Sequence, residues 1–187
     1  MFTVELVEVG DVDHEVMEYL AASIHDGFSL KCTVRSGVVD VRPFHDQRRG
    51  QHHSTEILAK LLELGPAQDR KILGVTDVDL FVPIFTFVFG EAQLRGPAAL
   101  VSLHRLRQEF YGLPPAEDLF YVRAEKEALH ELGHTFGLVH CASFDCVMRF
   151  SNSIEEVDMK TSSFCDSCSA VLRERCGEES PPVARSE

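Results

Sequence analysis

A chain of 187 residues, 44% of them apolar, is long enough to bury a full core in one domain and too apolar to be disordered. Its formal net charge of −12 excludes the basic face that sequence-independent nucleic-acid binding needs, so no nucleic-acid partner is expected. The N-terminal "MFTVELVEVGDVD" is acidic and lacks the apolar block of a signal peptide, and "FVPIFTFVFG" is too short to span a membrane, so a cytoplasmic protein without a membrane partner is expected.

In chain order, "FTVELVEV" (2–9) has apolar residues at alternate positions over most of its length and predicts a strand. Residues 13–26 predict a helix, with Val16, Leu20 and Ile24 at helical spacing behind a cap at Asp13. Residues 29–41 return to strand, and "RPFHDQRRGQHH" reads as a charged loop. Residues 54–65 form the next predicted helix, with Ser54 as its N-cap and Gly65 just past its end. Strands are then expected at 71–81, 84–90 and 98–106. Strand–helix alternation implies right-handed crossovers and a parallel sheet core. The short gap around Pro83 suits a tight reversal, which makes 84–90 an antiparallel edge strand. A long helix is expected over 116–136, ending at Gly137. Beyond it the chain has little periodicity, and the polar, proline-containing 177–187 reads as a disordered tail.

The chemistry concentrates in "HELGHTFGLVH", residues 130–140. His130 and His134 lie four apart on the predicted helix, so both imidazoles leave one face and can grip one ion. Glu131, beside the first ligand, can reach a water on that ion without binding the ion itself. Glycine adopts a left-handed conformation at no steric cost, so Gly137 lets the chain turn and bring His140 back to the same ion. Three nitrogen ligands leave a fourth position open, which marks a catalytic rather than a structural zinc. Such a zinc lowers the pKa of its water to roughly 7 and polarises a carbonyl, with Glu131 as general base. A helix whose histidines are merely solvated or buried is the bland alternative, and five specified positions out of eleven disfavour it.

The six cysteines include a C-x4-C pair, Cys141 and Cys146, and a C-x2-C pair, Cys165 and Cys168. In a reducing compartment clustered cysteines more often bind metal than form disulfides, and these spacings suit one tetrahedral structural zinc. Free buried cysteines and disulfides are the alternatives. Cys32 falls in a strand and reads as a core residue, while Cys176 follows a set that is already complete. His45, His52 and His53 read as solvated loop residues, and His104 as a strand end near the surface or cleft.

"HELGHTFGLVH" matches the long zinc-binding motif of the metzincin metallopeptidases. Met148 follows the third histidine as their Met-turn methionine does, and "HCASFDCVMRFSNS…FCDSC" resembles the archaemetzincins, a branch with four added cysteines. The resemblance runs from about Leu100 to Leu172. It implies an α/β (α+β) fold: a twisted five-stranded mixed sheet with one antiparallel edge strand, a backing helix, an active-site helix and a small cysteine-rich zinc-bound C-terminal part. It also implies that the edge strand borders the cleft and pairs with an extended peptide, and that Cys141, Cys146, Cys165 and Cys168 hold zinc. No tyrosine adjoins Met148, so none is assigned as ligand or oxyanion stabiliser.

The expected domain is 1–176, with the sheet and active-site helix in 1–137 and the Met-turn and cysteine segment in 138–176. The expected activity is zinc-dependent peptide hydrolysis with two zinc ions per chain, a peptide or protein substrate, and a monomeric state. A catalytically silent zinc module that binds peptides or protein partners is the alternative. A zinc-finger nucleic-acid binder is disfavoured by the acidic charge.

Overall fold

Three strands that are apolar along both faces organise this chain: β1 (Thr3–Val9), β5 (Arg70–Thr76) and β8 (Ala98–Ser102). The computed structural model describes residues 2–65 and 69–176, so the expected tail at 177–187 lies outside the described residues. In chain order the elements are β1, α1 (His14–Phe28), β2 (Lys31–Val39), β3 (His45–Asp46), β4 (Gln51–His53), α2 (Ser54–Leu62), β5, β6 (Leu80–Phe81), β7 (Gly90–Ala92), β8, α3 (Glu117–Thr135), α4 (Ile154–Met159) and α5 (Asp166–Cys176).

The main sheet has five strands in the order β2-β1-β5-β8-β7, parallel except for β7, which runs antiparallel to β8 at one edge. Successive side chains on a strand point to opposite faces. Val4 and Leu6 of β1, Leu73 and Val75 of β5, and Ala99 and Val101 of β8 therefore face α1 and α3 in the larger core. Val7, Val9, Ile72, Ala98 and Leu100 face α2 in the smaller one. Covering both faces is what a parallel sheet requires, and it explains the near-continuous apolar runs. The expected sheet class and its single antiparallel edge strand are present.

Helix α1 follows its sequence pattern: Val16, Leu20 and Ile24 are buried, and the Asp13 carboxylate accepts from the Glu15 backbone N–H at 2.9 Å. Helix α2 departs from it. His53 stands at the N-cap and Ser54 is already helical, because the Ser54 hydroxyl donates to the Glu91 carboxylate on β7 instead of capping its own helix.

Four expectations are corrected between 42 and 106. The charged loop at 42–53 carries β3 and β4, which join β6 in a small three-stranded sheet. The charged and polar residues there hold backbone: Arg49 donates to the Phe85 and Thr86 carbonyls, and Gln51 donates to Asp79 and to the Thr86 carbonyl. His52 and His53 are consequently half-buried rather than solvated. The strand expected at 71–81 breaks at Thr76, and 80–81 leave for the small sheet. Residues 84–90 do not form the edge strand. A turn closes at 82–85 as expected (Phe85 N–H to the Val82 carbonyl, 3.0 Å), but beyond it Val88 bonds back to Leu80. Only from Gly90 does the chain reach β8, so the edge strand is 90–92. Strand β8 stops at Ser102, whose hydroxyl donates to the Val78 carbonyl and accepts from the His104 N–H, ending the ladder before 106.

Candidate active site

Helix α3 packs one face on the sheet and carries His130, Glu131 and His134 toward the edge strand. It ends at Thr135, and Gly137, in the left-handed region at φ 91°, reverses the chain. The Gly137 N–H bonds to the His134 carbonyl and the Leu138 N–H to that of Gly133. His140 returns against the helix: its ring centroid lies 5.3 Å from that of His130 and 5.0 Å from that of His134. The structure thus brings together the three histidines that the sequence singled out.

The orientation of each ring has a cause. His130 Nδ1 lies 2.9 Å from the Val147 carbonyl oxygen and His134 Nδ1 lies 2.8 Å from that of Leu138. Carbonyls only accept, so both Nδ1 atoms carry hydrogen and both Nε2 atoms present lone pairs. Those two Nε2 atoms are 3.1 Å apart. Burial, with the Lys160 charge adding to it, pulls His130 well below its usual pKa, and burial also lowers His134 and His140, so a bridging proton is disfavoured. Two bare acceptors at that distance repel unless a cation lies between them. Zinc fits this donor set.

Met148, fully buried, lies under the helix at Gly133, where an added Cβ would stand 2.6 Å from its Sδ. Phe150 packs its ring 4.7 Å from that of His140. The cleft above is about 810 Å³. The segment 82–92 walls it on one side and Val139 with 150–152 on the other, and the histidines and Glu131 form its floor. Burial pushes the Glu131 carboxyl well above the usual carboxylate range, and the charges of Glu127 and Glu91 add to that shift while Lys160 opposes it.

Residues 12–174 match peptidase family M54. The chain belongs to that family. An archaemetzincin of Methanocaldococcus jannaschii is 44% identical over 167 residues, covering 89% of this chain and 90% of that one. The crystal structure of the archaemetzincin from Archaeoglobus fulgidus superposes with a TM-score of 0.79 at 36% identity, over 91% of this chain and 99% of that one. A zinc-dependent peptidase from Methanocorpusculum labreanum gives a TM-score of 0.82 at 28% identity, over 90% and 99%. The archaemetzincin resemblance drawn from the sequence is borne out, and M54 is a family of zinc metallopeptidases.

This M54 chain also gathers its four cysteines. The Sγ atoms of Cys141, Cys146, Cys165 and Cys168 all lie within 4.8 Å of one another, as do the donor nitrogens of the three histidines. A zinc–thiolate bond of about 2.3 Å gives tetrahedral S···S edges of about 3.8 Å, and Cys141 and Cys165 stand 3.7 Å apart. No disulfide joins any of the six cysteines. Cys165 immediately precedes α5, and the hydrogen bond from the Cys168 backbone draws its thiol down to about 7, while burial pushes the thiols of Cys146 and Cys168 up. Two short helices, α4 and α5, stand where the sequence had little periodicity; α5 is the scaffold of the C-x2-C pair. Cys32 packs against the larger core, and burial raises its thiol to about 12. His104 pairs its Nδ1 with the Asp77 carbonyl.

Sequence reasoning missed Lys160 and Glu127. Lys160 is fully buried, 2.8 Å from the Glu127 carboxylate and 3.3 Å from the Arg149 carbonyl. The pair ties α3, one turn before Glu131, to the chain that follows Met148. No spacing in the sequence connects position 127 with position 160.

Proposed function

We propose that this chain hydrolyses peptide bonds, with His130, His134 and His140 holding one zinc, Glu131 acting as general base, and Cys141, Cys146, Cys165 and Cys168 holding a second, structural zinc. The observation that carries the reading is the pair of bare Nε2 atoms 3.1 Å apart on the floor of a cleft, directly beside a buried carboxyl. Zinc, when bound, supplies a Lewis acid that acidifies water and polarises a carbonyl. The residues do the rest. The Val147 and Leu138 carbonyls hold the first two imidazoles in the tautomer that offers Nε2. Glu131 takes a proton from the attacking water onto its carboxylate and returns it to the leaving amine. Among the described residues strand β7 pairs with β8 on one side only, so its outer edge is open to an extended substrate backbone. The domain is 1–176, with 138–176 supporting the floor of the site.

A mixed peptide library incubated with zinc-loaded protein is expected to be cut, and a chelator is expected to stop the cutting. A library left intact by protein holding zinc at both sites would instead support a silent binding module. The ends of the products distinguish removal of single N-terminal residues from internal cleavage. Protein purified without chelator is expected to contain two zinc ions per chain by elemental analysis. One ion per chain in active protein would overturn the two-site assignment.

A further inference from the structure

The edge strand touches the base at a glycine. Gly90 opens β7 and pairs with Val101 of β8. A Cβ placed on Gly90 would stand 2.5 Å from Glu131 Cγ, 2.7 Å from Glu131 Cδ and 2.6 Å from the Leu100 carbonyl oxygen. Each contact is far inside ordinary van der Waals separation. Gly90 is not among the glycines with positive φ, so its backbone is open to any L-residue. The demand for glycine here is one of space, and most of that space is taken by Glu131.

Glu131 has little else to fix it. Among the described residues its carboxylate is shaped by burial and by the charges of Glu127, Lys160 and Glu91, not by a hydrogen-bond donor. Its side chain rises from α3 with β7 against it. The neighbouring Glu91 is turned to the opposite face, where Ser54 and Thr55 hold its carboxylate. Gly90 is thus the point at which the edge strand meets the Glu131 side chain without a side chain of its own between them.

We propose that Gly90 is a positioning residue for hydrolysis: by having no side chain it lets Glu131 lie in contact with the edge strand and so sets where the carboxylate meets the cleft. The inference rests on the reading of Glu131 as general base. A methyl group on residue 90 pushes the carboxylate away from β7, and a displacement of about 1 Å at a reacting group costs on the order of 10²-fold in rate.

The test is a kinetic cycle of wild type, Gly90→Ala, Glu131→Gln and the double variant, with kcat, KM and zinc content measured for each. Gly90→Ala is expected to lower kcat by roughly 10–100-fold while KM and zinc content stay at the wild-type level. In the Glu131→Gln background the same change is expected to cost nothing further, because the group it displaces no longer takes a proton. Equal losses in both backgrounds, a rise in KM with kcat kept, or full activity in Gly90→Ala would each overturn the proposal. Full activity in Glu131→Gln would overturn the general-base reading itself, which is a separate result. A second readout needs no turnover. Thermal melting of Gly90→Ala and Gly90→Ala/Glu131→Ala is expected to show the second change recovering most of the stability lost to the first. No recovery, or a double variant that does not fold, would mean that the Leu100 carbonyl and strand pairing alone dictate glycine at this position.

Discussion

Glu131→Gln is expected to lower kcat by roughly 10²–10⁴-fold, the span that general acid–base catalysis supplies, with zinc content and melting temperature unchanged. Glutamine has nearly the shape of glutamate, and the site tolerates shape: residue 131 is only 6% exposed, but its surroundings are packing walls and charges. What glutamine lacks is a basic oxygen. The carboxyl of Glu131 is pushed toward its protonated form by burial first and by Glu127 and Glu91 after that. A carboxylate can take the water's proton, and an amide cannot. The three histidines are untouched, and their Nδ1 bonds to Val147 and Leu138 do not involve residue 131. The measurement is steady-state hydrolysis of a library-derived peptide beside elemental analysis of the same sample. A zinc-loaded variant with wild-type kcat would remove Glu131 from the mechanism.

Cys165→Ser is expected to weaken zinc binding at His130, His134 and His140 by roughly 10–100-fold, the cost of losing support around a metal ligand, although residue 165 touches none of them. Two routes carry the effect. The first is visible in the sequence, where Cys141 is bonded directly to His140. The second exists only in three dimensions. Cys146 leads into Val147, whose N–H bonds to the Ser163 carbonyl beside the C-x2-C pair and whose carbonyl accepts from His130 Nδ1 at 2.9 Å. The next residue, Met148, accepts from the Cys141 N–H and packs under Gly133. A four-cysteine set that loses one ligand no longer clamps this loop, and ordering it again costs about 1–2 kcal/mol per restrained backbone residue. That cost is subtracted from zinc affinity at the histidines. Zinc titration of both proteins, read at the histidine site by cobalt substitution or competition, tests the coupling. Equal affinity with the cysteine site empty would mean that the fold alone holds His130 and His140 in place.

How much of this molecule could be read in its residues depends on how local each feature is. The three clustered histidines span eleven residues, and two elements of known geometry, a helix and a glycine turn, relate them. The two cysteine pairs are local in the same sense, and only their meeting is tertiary. The alternation of strand and helix patterns along the first hundred residues is enough to infer a parallel core, and β1, β5 and β8 bear it out. The charged residues at 42–53 were misleading because Arg49 and Gln51 spend their polarity on the backbone of 85–86, a partner that no periodicity announces.

By itself, then, the sequence determined which histidines and cysteines would gather, where α1 and α3 run, and that a parallel sheet is the core. These follow from spacing along a helix and the turn that ends it, or from the order of strand and helix patterns along the chain. Tertiary structure alone decided that the edge strand begins at Gly90 rather than Ile84, because the place where β8 accepts a partner depends on the turn at 82–85 and the bridge from Val88 to Leu80. It alone decided that Lys160 is buried against Glu127, since a charge leaves water only where a distant opposite charge is already in place. And it alone decided that position 90 has no room for a side chain, because the atoms it would meet belong to Leu100 on the neighbouring strand and to Glu131 on a helix that begins 27 residues later.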